Sequence, residues 1–173
     1  AETAYWLMSA HTTAGNIYYK LKAHKKAKNS YFEALKLLNR YYPNGRIREK
    51  ANLYTQIAET YLAEGNPNKA IINSKKTLTT LGIKYTKDIY GDNKLVDVFM
   101  LLAKAHLQLK QPQQALKNIN LSLLSADKIR NEFAADRTKE RFQNYLKQIV
   151  EQGIAVSYQL YEQTKDRKYL QQI

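Results

Sequence analysis

Three histidines are the side chains in this sequence most able to bind a metal ion or to transfer protons. His11, His24 and His106 are spread along the chain, and imidazole serves as a metal ligand and as a general acid or base near neutral pH. Each of them aligns with Tyr, Phe or Pro when the chain is compared with itself, as described below. Positions that accept those residues are packing positions, so we predict no metal site and no catalytic histidine.

Carboxylates are the second group that could carry chemistry. Glu59 and Glu64 are five residues apart, which places them on different faces of a helix, because facing side chains are three or four residues apart. Glu132, Asp136 and Glu140 recur every four residues, but the basic residues between them indicate a solvated, ion-paired face. The sequence also lacks Ser-His-Asp, HExxH and glycine-rich phosphate-binding motifs. We therefore predict that the chain is not an enzyme and uses no cofactor.

The composition favours an all-α fold. The 173 residues are 44% hydrophobic and 25% charged, which is typical of a globular domain. With only 6 Gly and 3 Pro, the chain has too few turn signals for a fold rich in hairpins. Cysteine is absent, which excludes disulfides, thiolate nucleophiles and cysteine zinc sites.

Membrane insertion and export have no signal in the sequence. No apolar run reaches eighteen residues, and the start "AETAYWLMSA" lacks the basic flank and cleavage pattern of a signal peptide. From these features and the lack of cysteine we expect a cytoplasmic protein without membrane contact. The end "DRKYLQQI" stops within a helical pattern, so we expect the chain to be part of a longer protein.

Three segments resemble one another when they are aligned on the small residues Gly15, Ala58 and Ala103. Ring-bearing side chains stand four residues before and three residues after each anchor, and Ala stands twelve residues after it. The matched positions are His11, Tyr54 and Phe99; Tyr18, Tyr61 and His106; His24, Pro67 and Pro112; and Ala27, Ala70 and Ala115. This spacing predicts repeated pairs of helices, with small residues where the two helices of a pair cross.

The joint between the helices of a pair is clearest in the second segment. Gly65 can adopt the left-handed conformation that ends a helix, Asn66 is a favourable N-cap, and Pro67 suits the first helical position. The sequence "KQPQQAL" at 110–116 repeats the proline signal. Each unit is therefore predicted to be a helix, a turn of two or three residues and a second helix.

This pattern resembles the tetratricopeptide repeat, whose helix-turn-helix units stack into a right-handed superhelix. The anchors are 43 and 45 residues apart, longer than the usual period of about 34, with the extra residues after the second helix. The resemblance implies one solenoid domain over 1–173. Its repeats are expected at about 8–41, 51–82 and 96–128, with a partial repeat at 150–173.

A second resemblance covers only the last 19 residues, "AVSYQLYEQTKDRKYLQQI". They are similar to the segment that links tetratricopeptide repeats to a C-terminal caspase-like CHAT domain in many bacterial proteins. That resemblance implies a regulatory or substrate-recruiting region acting on a protease-like domain of the same chain.

The family resemblance also implies a binding surface, lined by the first helix of each pair. The positions that carry over are Thr12, Asn16, Tyr19, Lys20, Asn52, Thr55, Glu59, Asp97, Met100 and Lys104. Asn16 matches one member of a clamp for a C-terminal carboxylate, but Thr12, Asp97 and Leu101 stand where that clamp needs basic residues, so this form of binding is not expected. The implied partner is a protein, a peptide or another domain of the parent protein.

Nucleic acid is the alternative partner. The net charge is +13, and the cluster "KLKAHKKAK" at 20–28 is its densest part. Lys25, Lys26 and Lys28 fall on the second helix of the first pair, away from the implied binding surface. We therefore favour protein binding and interpret the cluster as a solvated face.

Overall fold

The computed structural model describes residues 2–132 and 136–171, and within them the fold is all-α, as predicted. No strand occurs in the described part of the chain. The helices are α1 (Glu2–Lys20), α2 (His24–Tyr41), α3 (Ile47–Ala63), α4 (Pro67–Thr80), α5 (Asn93–Gln108), α6 (Pro112–Glu132) and α7 (Asp136–Thr164). Two short 3-10 helices span Thr86–Asp88 and Arg167–Gln171.

Three helix pairs follow one another along the chain, α1 with α2, α3 with α4, and α5 with α6. The turn within each pair holds one residue of positive φ, Lys22 at 57°, Gly65 at 74° or Lys110 at 57°. The amide one residue further on donates back across the turn, from Asn66 to the Tyr61 carbonyl at 2.8 Å in the second pair. The predicted helix-turn-helix unit is therefore confirmed, and one turn geometry is used three times.

The start of α4 confirms the capping prediction. The Asn66 side chain accepts a hydrogen bond from the Lys69 amide at 3.2 Å, and Pro67 is the first helical residue. Proline lacks the N–H that would have no partner at this position, so the cap and the proline together define where the helix begins.

Small residues lie at the crossing within each pair. Gly15 of α1 lies against the ring of Tyr31 of α2, where an added Cβ would stand 2.6 Å from Cδ1. The alanines predicted at the crossings are almost fully buried: Ala27, Ala58, Ala70, Ala103 and Ala115. Helices approach this closely only where side chains are small, which explains the periodic alanines.

The chain forms two compact units, Ala1–Ile83 and Lys84–Ile173. The first, called unit 1 below, contains α1 to α4, and its core brings Met8 and the inner face of α2 together with Leu53 and Ile57 of α3. The second, called unit 2, contains α5 to α7, and its core extends from Val96 through Ile119 to Leu160. Each unit thus has an apolar core of its own.

The segments that lengthen the repeats are anchored by polar contacts. After α2, Lys50 donates to the carbonyls of Tyr42 and Pro43, the latter at 2.7 Å. Before α5, Ser125 of α6 donates to the Tyr90 carbonyl at 2.7 Å. These bonds satisfy carbonyls that no helix uses, so the longer loops are part of the fold.

The C-terminal part of the described chain contains one long helix. A single helix, α7, begins at Asp136 and ends at Thr164. Lys165 has a φ of 57°, like the turn residues of the earlier pairs, and residues 167–171 form a 3-10 helix. The side chains of Glu132, Asp136 and Glu140 lie outside the described part, so the predicted ion-paired face is not described.

Candidate functional site

One face of α1 and one face of α3 carry a continuous row of polar and aromatic side chains in unit 1. Spacings of three and four residues place the members of each row on one side of their helix. The α1 row is Tyr5, Ser9, Thr12, Asn16 and Tyr19, and the α3 row is Glu49, Asn52, Gln56 and Glu59. These nine residues are called the groove face below.

A pocket of about 170 Å³ opens between the N-terminal halves of the two rows. Its apolar lining comes from Tyr5, Met8 and Leu53. Its polar lining comes from Ser9, Thr12, Glu49 and Asn52. The Thr12 hydroxyl already donates to the Met8 carbonyl at 2.9 Å, and Glu49 is held by Arg46 at 3.0 Å. An apolar floor with a fixed polar rim suits a single apolar side chain of a ligand.

A hydrogen-bond network connects three helices next to the pocket. The Asn16 side-chain oxygen accepts from the Tyr31 hydroxyl of α2 at 2.9 Å and from the Gln56 amide of α3 at 2.8 Å. Because both bonds use the Asn16 oxygen, its amide nitrogen is left for another acceptor. The Gln56 oxygen is buried and has no hydrogen-bond partner within the described part of the chain. Such an acceptor costs about 1–3 kcal/mol until a donor reaches it.

Burial and the Glu59 carboxylate shape the electrostatics of this network. Burial raises the pKa of Tyr31 to about 12, with the negative charge of Glu59 and the Tyr19 phenol adding to the effect. The pKa of Tyr19 is also raised, first by burial and then by Glu59. Both phenols therefore remain neutral hydrogen-bond donors at physiological pH, and the carboxylate gives this end of the groove face a negative field.

Two predicted surface residues of unit 1 lie off the groove face. Thr55 is almost fully buried, where its hydroxyl donates to the Ala51 carbonyl at 3.0 Å and lies 3.2 Å from the Thr77 hydroxyl of α4. Lys20 is exposed at the last residue of α1. The structure thus brings Thr12, Asn16 and Tyr19 together with Asn52 and Glu59, and it uses Thr55 to join α3 to α4.

The predicted positions of unit 2 have three different environments. Asp97 accepts a hydrogen bond from the Tyr145 hydroxyl of α7 at 2.7 Å, which joins α5 to α7. Met100 is buried in the core of unit 2, while Lys104 is exposed on α5. Of the three, Lys104 alone presents its side chain to solvent.

Sequence reasoning did not find Gln56 and Tyr31 as parts of the site. Gln56 aligns with Thr13 of the first unit, so no repeat pattern marks it. Tyr31 stands sixteen residues after its anchor, where the other units carry Ser74 and Ile119. The sequence did contain one signal for Tyr31. A glycine at a helix crossing, such as Gly15, predicts a large side chain on the partner helix.

Two of the three histidines contact neighbouring side chains, and their interpretation as packing residues stays a prediction. The His24 ring lies 6.0 Å from the Tyr19 ring, and the His106 Nδ1 is 2.8 Å from the Gln111 Oε1. No group of three or more His, Asp or Glu side chains that could hold a metal ion occurs among the described residues.

The basic cluster makes internal contacts at the turns of unit 1. Lys26 lies 5.7 Å from the Tyr18 ring centre, and Lys28 lies 4.4 Å from that of Tyr61. Lys28 also forms an ion pair with Glu64, which links α2 to the end of α3. Lys28 is thus engaged within the fold, and nucleic-acid binding by the cluster stays a prediction.

Consecutive helix pairs with one turn geometry and small residues at each crossing define a helical repeat protein. Within the described residues, no helix has both the length and the apolarity to cross a membrane. Residues 9–37, which cover most of α1 and α2, match the tetratricopeptide repeat family. This match, together with the seven consecutive helices of the described residues, supports a repeat protein of the tetratricopeptide type.

Repeats of this type generally mediate contacts between proteins and are typically scaffolds without catalysis. No curated protein matches the chain. The family match ends at residue 37, so the relation of residues 155–173 to CHAT-domain proteins stays a prediction from the sequence.

Proposed function

We propose that this chain is a protein-interaction scaffold that binds a peptide segment of a partner on the groove face of unit 1, and that it is not an enzyme. The observation that carries the proposal is the junction of an apolar pocket with an incompletely satisfied polar network on the same two helices. A pocket of this kind anchors a side chain, and the network orients the ligand backbone.

The chemistry of the groove face specifies the ligand. The pocket takes one apolar side chain between Tyr5, Met8 and Leu53. The Gln56 oxygen is buried without a partner beside the pocket, and the Glu59 carboxylate, which interacts with other residues of the fold, adds a negative charge there. We therefore expect a peptide with an apolar residue followed or preceded by a basic residue.

The spacing of the two sites limits the peptide further. The pocket centres near Ser9 of α1 and the network lies at Asn16, which separates them by about 11 Å along the helix axis. An extended peptide covers that distance in about three residues. A preformed helical surface loses little further entropy on binding, so short peptides suffice for measurable affinity.

The test is selection of peptides from a displayed random library, followed by calorimetric titration of the best peptide. Ser9→Trp on the pocket rim should fill the pocket and weaken binding at least tenfold. Glu59→Gln should lower the affinity for a basic peptide several-fold, because it removes the negative charge while keeping the size of the side chain. Asn29→Trp places the same ring on the exposed surface of α2 and should leave the affinity unchanged.

Two results would contradict the proposed binding surface or its ligand. If the selected peptides bind Ser9→Trp and Asn29→Trp equally well, the groove face is not the binding surface. If no peptide is enriched over a scrambled-library control, the proposal of a short-peptide ligand is wrong.

A further inference from the structure

The turn between α1 and α2 gives the first helix pair a basic tip. The α1 helix ends at Lys20 and α2 begins at His24, so the turn brings four lysines to one end of the pair. All four are exposed: Lys20, Lys22, Lys25 and Lys26. The chain has no acidic residue between positions 3 and 32, so these lysines have no carboxylate close to them in sequence.

Two apolar side chains lie among these lysines. Leu21 stands between Lys20 and Lys22 and is 69% exposed. Ile17 lies one helical turn before Leu21, on the same side of α1, and is 53% exposed. Ile17, Leu21 and the four lysines are called the tip patch below. The patch thus combines exposed apolar side chains with a high density of positive charge.

The second turn of unit 1 lies at the same end and adds to its positive charge. The centre of the Tyr61 ring, near the end of α3, is 4.4 Å from the Lys28 Nζ and 5.4 Å from the Lys69 Nζ. The carboxylates here are Glu64, which is paired with Lys28, and Glu59, one turn before the end of α3. Among the described residues, the four lysines of the tip patch form no ion pair.

We propose that the tip patch binds the surface of an anionic lipid bilayer, with Leu21 and Ile17 inserted between the lipid headgroups. Clusters of about four to eight basic residues are attracted to membranes that carry anionic lipids. Apolar side chains among them strengthen the contact by leaving water for the boundary of the acyl chains. The expectation of no membrane contact rested on spanning and export signals, and a tip that lies on the surface needs neither.

The composition of the tip patch favours lipid over nucleic acid. All of its cations are lysines, so it has no arginine to form paired hydrogen bonds with base edges. The nearby rings of Tyr18 and Tyr19 are half-buried, and Lys26 lies 5.7 Å from the Tyr18 ring centre. These rings therefore offer little surface on which bases could stack. The exposed Leu21 also has a role at a bilayer that it would lack on a phosphate backbone.

The tip patch is separate from the groove face. Ser9, on the rim of the pocket, precedes Leu21 by twelve residues, which is about 18 Å along α1. A bilayer at the tip therefore leaves the pocket open to a peptide. The inference does not depend on the proposed peptide binding.

Co-sedimentation with lipid vesicles is the first test. Vesicles of phosphatidylcholine with about 30% phosphatidylserine have the negative surface potential that attracts basic clusters. The protein should sediment with these vesicles and stay in solution with vesicles of phosphatidylcholine alone. Raising the salt from about 0.1 M to about 0.5 M should release it, because salt screens the attraction between exposed charges.

Two double variants with the same change in charge test where the bilayer binds. Lys22→Glu with Lys25→Glu alters the tip patch, whereas Lys75→Glu with Lys76→Glu alters the exposed surface of α4. One lysine near an anionic surface contributes about a fivefold gain in affinity. The tip variant should therefore lose more than about tenfold in affinity for the anionic vesicles, and the α4 variant should lose much less. Circular dichroism of both variants checks that the helices are intact.

Leu21→Gln tests the apolar contact, because it keeps every charge of the tip patch. It should weaken binding to the anionic vesicles several-fold. Ile72→Gln on α4 is the control, since Ile72 is 53% exposed and lies outside the patch. It should leave vesicle binding unchanged. A labelled single-stranded oligonucleotide, titrated into the wild type and Leu21→Gln, measures the competing interaction.

Three results would overturn the proposal. The first is equal binding, or no binding, to the anionic and the neutral vesicles. The second is the same loss of affinity in the tip and α4 double variants. The third is full vesicle binding by Leu21→Gln together with tight oligonucleotide binding, which would identify the patch as a nucleic-acid surface. None of these variants changes the groove face, so peptide titration reports on the proposed function separately.

Discussion

At the scale of single residues, Gly15 is a position where space is tightly restricted. It lies under the Tyr31 ring at the crossing of α1 and α2, and a Cβ there would enter the ring. Tyr31 cannot easily move away, since its hydroxyl is bound to Asn16. The same contact therefore supports both the helix crossing and the groove face.

Gly15→Ala tests this packing. Alanine favours a helix over glycine by about 1 kcal/mol, but overpacking a core costs about 1–3 kcal/mol. We expect a net loss of about 1 kcal/mol in the free energy of unfolding, measured by urea denaturation. Thr13→Ala, on the exposed side of the same helix, should be neutral or stabilising. A more stable Gly15→Ala protein would contradict the close crossing.

Tyr31 also predicts a pH dependence of stability. Its pKa is raised to about 12 in the folded protein, so the folded state keeps a proton that the unfolded state releases near pH 10. The folded state thus binds more protons in this window, and the free energy of unfolding must fall as the pH rises from about 10 to 12. Below pH 10 this contribution is fully present.

Urea denaturation at pH 9, 10 and 11 measures this effect. Tyr31→Phe should be less stable than the wild type at pH 9, by about 1 kcal/mol for the lost hydrogen bond, and the difference should shrink at pH 11. Tyr41→Phe on the surface of α2 should leave the slope unchanged. A constant difference between wild type and Tyr31→Phe would show that Tyr31 does not titrate with a raised pKa.

At the scale of elements, the turns repeat one geometry with two residue types. In the second pair Gly65 adopts the positive φ, which glycine does with little strain. In the first and third pairs Lys22 and Lys110 adopt it, although each has a side chain. A non-glycine residue at positive φ costs about 1 kcal/mol. The first and third turns are therefore strained relative to the second.

Lys110→Gly should stabilise the protein for this reason, by up to about 1 kcal/mol, with the fold unchanged. Lys104→Gly, inside α5, should destabilise it by about 1 kcal/mol because glycine is a poor helix former. Thermal unfolding of the two variants should move in opposite directions from the wild type. If Lys110→Gly lowers the melting temperature, the lysine side chain stabilises the fold by more than the strain of the turn destabilises it.

Most of the elements could be predicted from the sequence, and parts of the site could not. The spacing of Gly15, Ala58 and Ala103 predicted the helix pairs and their turns because packing at a crossing depends on side-chain size. The network of Asn16, Tyr31 and Gln56 depends on the relative positions of three helices. The periodic pattern of the sequence does not predict those positions. The lysines of the tip patch were visible in the sequence, but the exposure of Leu21 among them required the structure.

At the scale of the whole molecule, unit 1 concentrates both proposed surfaces. Thirteen of the 28 lysines and arginines lie in residues 1–83, against five of the 15 acidic residues. The groove face has no basic residue of its own, and its Glu49 is paired with Arg46 while Glu59 adds to the raised pKa values of the buried Tyr19 and Tyr31. The negative field at the Glu59 end of the groove face favours a basic peptide there over the rest of the basic unit.

The central claim is that a peptide partner binds the groove face. The most direct measurement is ¹⁵N chemical-shift mapping of the protein titrated with a library-selected peptide. The account predicts that the largest shifts fall at residues 5–19 of α1 and 49–59 of α3, with small changes on the outer sides of α2 and α4. Shifts concentrated on α2 and α4, or confined to residues 84–171, would contradict it.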